Sequence, residues 1–163
     1  MAMALSKFYK YSTNRGEEHL SSIEEEIDIL KTYLEIEEIR FGERLQFGID
    51  HQKSDFKWRI PRFLLQPIVE NAVNHGIFNK MENGQIDIYF KYIDEKNYQV
   101  EIIDDGVGVV NTQNKATKKV KSSNVLDDRL KYLNQSENWK ITYKTEEVYP
   151  KLTDKGNKST FIN

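Results

Sequence analysis

Residues 69–76 read VENAVNHG, and these two helical turns decide how the rest of the chain is read. Val69, Ala72 and Val73 carry the spacing of a buried helix stripe. Glu70, Asn71, Asn74 and His75 crowd the same two turns, although Asn and His are mediocre helix formers. Asn71 and Asn74 lie three apart and share one face, while Gln66 and Glu70 share a neighbouring one. A solvated helix edge accounts for any one of these residues alone. A carboxamide has a second use, because its oxygen can bind a hard cation such as Mg²⁺ without adding charge, alongside phosphates and waters.

The second informative stretch is IIDDGVGVV, residues 102–110. A strand runs into two aspartates and a Gly-x-Gly. An ordinary Asp-Gly turn is one reading. The other uses Gly106 and Gly108, which let a ligand approach the backbone closely. A buried carboxylate at that strand end can accept hydrogen bonds from an exocyclic amine such as that of adenine.

The remaining chain supplies the frame. SSIEEEIDILKTYLEIEEIRF opens with two overlapping capping boxes, Ser21 to Glu24 and Ser22 to Glu25. Ile23, Ile27, Leu30 and Leu34 form its apolar stripe, and the surrounding acids read as a solvated face. RLQFGID and the shorter KWRIP read as strands. Pro61 is expected to open the helix that carries residues 69–76, with Pro67 in its early, proline-tolerant part. QIDIYFKYI and YQVEIID form a hairpin across DEKN. Residues 111–124 are a long polar stretch, NVLDDRLKYLN a short amphipathic helix, and WKITYKTEE and KSTFI the closing strands. This order predicts an α+β domain, a two-layer α/β sandwich with helices packed on one face of a mixed, mainly antiparallel sheet.

Composition narrows the function classes. The 163 residues suffice for one domain with a real core, and the formal charge of −2 argues against a nucleic-acid partner. Without cysteine there are no disulfides or thiolate metal sites, and His19, His51 and His75 lack zinc-ligand spacing. No apolar run reaches the ~18 residues of a membrane helix.

Together the two motifs resemble the N box and first glycine box of the GHKL ATP-binding superfamily, which includes gyrase, MutL and the histidine kinases. YLEIEEIRFGERL, IPRFLLQPIVENAVNHGI and IIDDGVGV in this order, with NVLDDRL and GNKSTFI after them, are similar to the LytS-type sensor histidine kinases over about residues 20–163. The resemblance implies ATP and Mg²⁺ as cofactors. It implies that Asn71 holds Mg²⁺ and that Asn74 stands where many relatives have a phosphate-contacting residue. His75 would flank the nucleotide, Asp104 would read the adenine amino group, and Gly106 and Gly108 would be the box glycines. The helix beginning near Asn124 would offer backbone N–H groups to a phosphate. The implied domain layout is a remnant of a preceding dimerisation region over residues 1–20 and the ATP-binding domain over 21–163. The implied partners are a histidine-bearing dimerisation domain and a response regulator. The implied setting is the cytoplasmic side of a membrane-anchored homodimeric parent.

Three departures sharpen the expectation. Where relatives carry a second glycine box, this chain has KVKSSN, and Lys115, Lys118, Lys119 and Lys121 occupy the lid region. A degenerate, non-catalytic module is therefore the alternative to a working kinase domain. Hydrolysing members of the superfamily place a catalytic Glu four residues before the magnesium asparagine; here that residue is Pro67, which cannot activate water. Glu70, about 100° round the helix from Asn71, is poorly placed to substitute. Phosphoryl transfer to a protein group is thus favoured over hydrolysis. Neither His19 nor His51 sits in the Pro-His-Phe context of an acceptor, so the acceptor is expected on another domain.

Overall fold

The computed structural model describes residues 20–52, 58–108, 120–135, 139–148 and 156–162. Strand β1 (Leu20–Ser22) leads straight into helix α1 (Ile23–Phe41). Ser22 caps the helix: its hydroxyl accepts the Glu25 N–H at 3.2 Å, and the Glu25 carboxylate accepts the Ser22 N–H at 2.7 Å. The other expected box does not form. Ser21 is still part of β1, paired with Ile60, and its hydroxyl donates to Glu26 Oε1 at 2.5 Å.

The α1 stripe of Ile23, Ile27, Leu30 and Leu34 is buried as its spacing requires. The expectation that the acids of α1 form a solvated face fails at two positions, because Glu26 and Glu37 are buried. Each has a partner that makes burial tolerable. Glu26 also accepts the Phe63 N–H at 2.9 Å, and Glu37 is paired with Arg40 at 3.2 Å.

Gly42 ends α1 with φ at +63°, the left-handed region that glycine enters freely. A 3₁₀ turn (Gly42–Arg44) then feeds strand β2 (Leu45–Asp50). Strand β3 (Arg59–Pro61) pairs antiparallel with β1, Leu20 opposite Pro61. Pro61 therefore closes a strand rather than opening a helix, as a residue without an N–H can at a strand end. Residues 1–19 lie outside the described residues.

Helix α2 (Gln66–Asn71) begins after a turn in which Phe63 has φ at +59°, and Pro67 sits in its first turn. It continues without a break as a π-helical turn (Ala72–Ile77), where the Phe78 N–H reaches back five residues to the Val73 carbonyl at 2.8 Å. Strands β4 (Gly84–Tyr92) and β5 (Tyr98–Asp104) form the expected hairpin. In its turn, Asp94 Oδ1 accepts the N–H groups of Lys96 and Asn97 at 2.8 and 2.9 Å. Helix α3 (Val120–Gln135), strand β6 (Thr142–Glu147) and strand β7 (Asn157–Ile162) complete the described elements.

The main sheet runs β2-β4-β5-β7-β6, with β2 and β4 parallel and the other neighbours antiparallel. Alternation decides which face is covered. Ile86, Ile88 and Phe90 of β4 and Tyr98, Val100 and Ile102 of β5 are buried in one core with the apolar residues of α1 and α2. The opposite face carries a charged ladder in which Glu101 of β5 is paired with Lys91 of β4 and Lys158 of β7. The result is the expected two-layer α+β sandwich.

Candidate nucleotide site

The inward face of β5 reads Tyr98, Val100, Ile102, Asp104. The same alternation that buries three apolar residues turns Asp104 toward the helix layer at the strand's end, and it is 4% exposed. Its Oδ1 accepts the Gly106 N–H at 3.0 Å. Burial pushes the Asp104 carboxyl up to about 7; the Gly106 N–H opposes this, the neighbouring Asp105 adds to it and Lys80 opposes it. A buried carboxylate with one internal donor keeps capacity for a further donor, the requirement for reading an amino group.

Gly76 is the residue that brings the two motifs together. A Cβ added there would lie 2.6 Å from Asp104 Oδ1. A Cβ on Gly106 would lie 2.3 Å from the Gly76 Cα. Two glycines thus let the turn after β5 lie directly on the π-helical turn, and the Val107 N–H points at the Gly76 carbonyl at 3.5 Å. The missing side chain of Gly106, expected to admit a ligand, admits the backbone of Gly76. Gly108 has φ at +77° and marks a left-handed turn.

Asn71, Asn74 and His75 lie on the helix just ahead of this contact. Asn71 is half-buried, Asn74 and His75 are exposed, and the Asn71 carboxamide makes no hydrogen bond among the described residues. Asn79 donates to the carbonyls of His75 and Asn74 at 3.1 and 3.4 Å, which closes the end of the π-helical turn. Glu70 is tied to Gln66 at 2.8 Å. Burial, with the nearby Glu37 of α1, raises its carboxyl although the Gln66 hydrogen bond opposes this.

The structure brings Asn71, Asn74, His75, Asp104, Gly106 and Gly108 to one end of the sandwich. Asn124 was expected near a helix N-terminus. Helix α3 starts four residues earlier, at Val120, so the Asn124 N–H falls in the second turn, where helical N–H groups already have partners. The lid lysines at 115, 118 and 119 lie outside the described residues. Arg129 of α3 donates to the Phe63 carbonyl at 3.0 Å and to that of Arg62, a structural role.

Sequence reasoning missed Gly76, Lys80 and Asp105. Gly76 had a signal, since a glycine inside a helix costs about 1 kcal/mol against alanine and needs a packing reason. Lys80 and Asp105 form a salt bridge at 2.9 Å across 25 positions, and no local pattern announces it.

A family model described as histidine kinase matches residues 1–45. The sensor histidine kinase BtsS of Escherichia coli (strain K12) is 37% identical over 84 residues, covering 52% of this chain and 15% of that protein. The sensor protein LytS of Enterococcus faecalis is 26% identical over 109 residues, covering 67% of this chain and 18% of that protein. The chain thus spans less than a third of these curated relatives. The solved catalytic domain of histidine kinase ThkA superposes with a TM-score of 0.58 at 17% identity, covering 90% of this chain and 96% of that one. ThkA in complex with the response regulator protein TrrA gives 0.56 at 17% identity, covering 99% of this chain and 46% of that one. No helix among the described residues is long and apolar enough to cross a membrane. The chain has the fold of histidine kinase catalytic domains, and parts of its sequence are similar to the sensor histidine kinase BtsS and the sensor protein LytS.

Proposed function

We propose that this chain is the ATP-binding catalytic domain of a sensor histidine kinase, and that it presents the γ-phosphate of Mg-ATP to a histidine on a separate dimerisation domain. The observation that carries the reading is the junction of the two motifs, where Gly76 and Gly106 pack backbone to backbone beside the buried Asp104 carboxylate. Asp104 would accept the adenine amino group. Asn71, half-buried with an unengaged carboxamide, fits a neutral oxygen ligand for magnesium. Asn74 and His75 would line the phosphate side, with Gly108 bounding it. Magnesium, when bound, supplies charge neutralisation for the phosphates. The protein supplies positioning: it fixes the base, holds the phosphates on one helix face and leaves the acceptor to approach from outside. Pro67, in place of an acid, gives this chain no water-activating group on that face.

The partners of this reading are the histidine-bearing domain of the parent kinase and a response regulator; ThkA, a structural neighbour, is in complex with the response regulator protein TrrA. The parent would be a membrane-anchored homodimer with this domain on the cytoplasmic side. The test is incubation with radiolabelled ATP of this chain alone, with the parent's dimerisation domain, and with that domain's acceptor histidine replaced. Acid-labile label on the wild-type dimerisation domain only is the expected result. Label on this chain alone contradicts the separation of acceptor from ATP site. KVKSSN in place of a second glycine box favours one other reading, a non-catalytic nucleotide-binding module; ATP binding without label under any condition would establish it.

A further inference from the structure

Beneath the turn that follows Asp104 lies a polar cluster around the buried Lys80 that the nucleotide reading does not use. The Lys80 side chain is 9% exposed, and its ammonium pairs with Asp105 Oδ2 at 2.9 Å. A lysine this buried is rare without a partner and a task. Asp105 spends its other oxygen on the Gln85 N–H of β4 at 2.8 Å, and its own N–H donates to the Gln85 carbonyl at 3.2 Å. Lys80 is fixed at its backbone as well. Its N–H donates to the Ile77 carbonyl at 3.0 Å, and its carbonyl accepts Arg44 Nη2 at 2.7 Å. Four segments therefore meet here: the α1–β2 turn, the end of the π-helical turn, the start of β4 and the turn after β5.

We propose that Lys80 and Asp105 are positioning residues for base recognition: the ion pair between the buried Lys80 and the partly exposed Asp105, clamped by Arg44 and Gln85, sets both the place and the ionisation of the Asp104 carboxylate. The proposal rests on the reading of Asp104 as the group that accepts the adenine amine, and it assigns how that group is kept competent. An amine donor is bound more strongly by the carboxylate than by the acid, which spends one oxygen on its proton and accepts without the help of charge. Asp104 is buried and next in sequence to a second carboxylate, so its ionised form is under pressure from both. The charged groups facing it come from two places only among the described residues: Asp105 in its own turn, which opposes ionisation, and Lys80, which favours it. From the other elements it meets Gly76 of the π-helical turn, Ile86 of β4 and Asn157 of β7, none of them charged. Lys158 is engaged on the opposite face of the sheet by Glu101.

Two substitutions separate this role from plain structural support, because they push in opposite directions. Lys80→Met keeps the aliphatic bulk, removes the cation and leaves Asp105 unpaired beside Asp104. Asp105→Asn keeps an oxygen for the Gln85 N–H and leaves Lys80 to act on Asp104 alone. The measurement is calorimetric titration of ADP from pH 5.5 to 8.5 on the whole chain, with the carbon-13 resonance of the Asp104 carboxyl followed in the nucleotide-free protein. Lys80→Met is expected to move both profiles to higher pH and to weaken ADP roughly tenfold or more at pH 7, the scale of one lost opposite charge nearby. Asp105→Asn is expected to move both profiles to lower pH. Profiles that stay at the wild-type position in both variants, or that move the same way, overturn the proposal. Wild-type protein that binds no ADP at any pH overturns the nucleotide reading and the proposal with it; unmoved profiles with ADP bound overturn the proposal alone.

Discussion

Asp104 stands in a place that costs the free fold once it ionises, and that on the proposed reading serves binding. Burial lifts its carboxyl from 3.8 to about 7, so the folded state holds this proton more tightly than the unfolded chain does. The contribution to stability is complete below the unfolded value and is lost as pH rises through about 7. A shift of that size corresponds to something on the order of 4 kcal/mol above pH 7. Asp104→Asn, which keeps an acceptor for the Gly106 N–H, should melt at higher temperature than wild type at pH 8, and the difference should shrink toward pH 5. Thermal melts across that range check it. The same substitution should abolish any preference for ATP over GTP, since adenine offers an amino donor where guanine offers a carbonyl. A variant that gains no stability at pH 8 would show that the carboxylate is better solvated than its surroundings indicate.

At the level of elements, the site is the contact between a π-helical turn and a glycine turn. The strands and the α1 stripe were legible because alternation and 3.6-residue spacing are local properties that survive in the sequence. Asp104 was legible for the same reason, as the last inward position of β5. The π-helical turn was not, because widening a helix by one residue barely changes the spacing of Val69, Ala72, Val73 and Ile77. The burial of Glu26 was not legible either, since it depends on the Phe63 N–H, 37 positions away; Glu37 has a partner three residues on in Arg40, but spacing that allows the pair does not say that it is buried. The contact predicts a graded pair of effects. At Gly76, a methyl would meet the Asp104 carboxylate, a side chain able to move; at Gly106 it would meet backbone. Gly76→Ala should keep the fold and lower ADP affinity by more than tenfold. Gly106→Ala should lower stability by about 1–3 kcal/mol, the usual penalty of overpacking. Denaturant melts and ADP titration of both variants test the order, and equal losses of stability would contradict it.

Across the whole molecule, one loop links the helices that flank the site. The Phe63 N–H is held by Glu26 of α1 and its carbonyl by Arg129 of α3, with φ at +59° between them. Helix α1, the segment leading into the helix that carries Asn71, and helix α3 therefore share a single anchored joint. The proposed function requires Mg²⁺ and adenine nucleotide to bind together through two motifs some 30 residues apart in sequence. The most direct measurement is calorimetric titration of ATP into wild-type protein and Asn71→Ala, each with Mg²⁺ and with a chelator. The account predicts wild-type binding that tightens with Mg²⁺, and a variant that keeps its fold by circular dichroism but loses the Mg²⁺-dependent part. ATP affinity that is absent in wild type, or identical in both proteins with and without Mg²⁺, would contradict it.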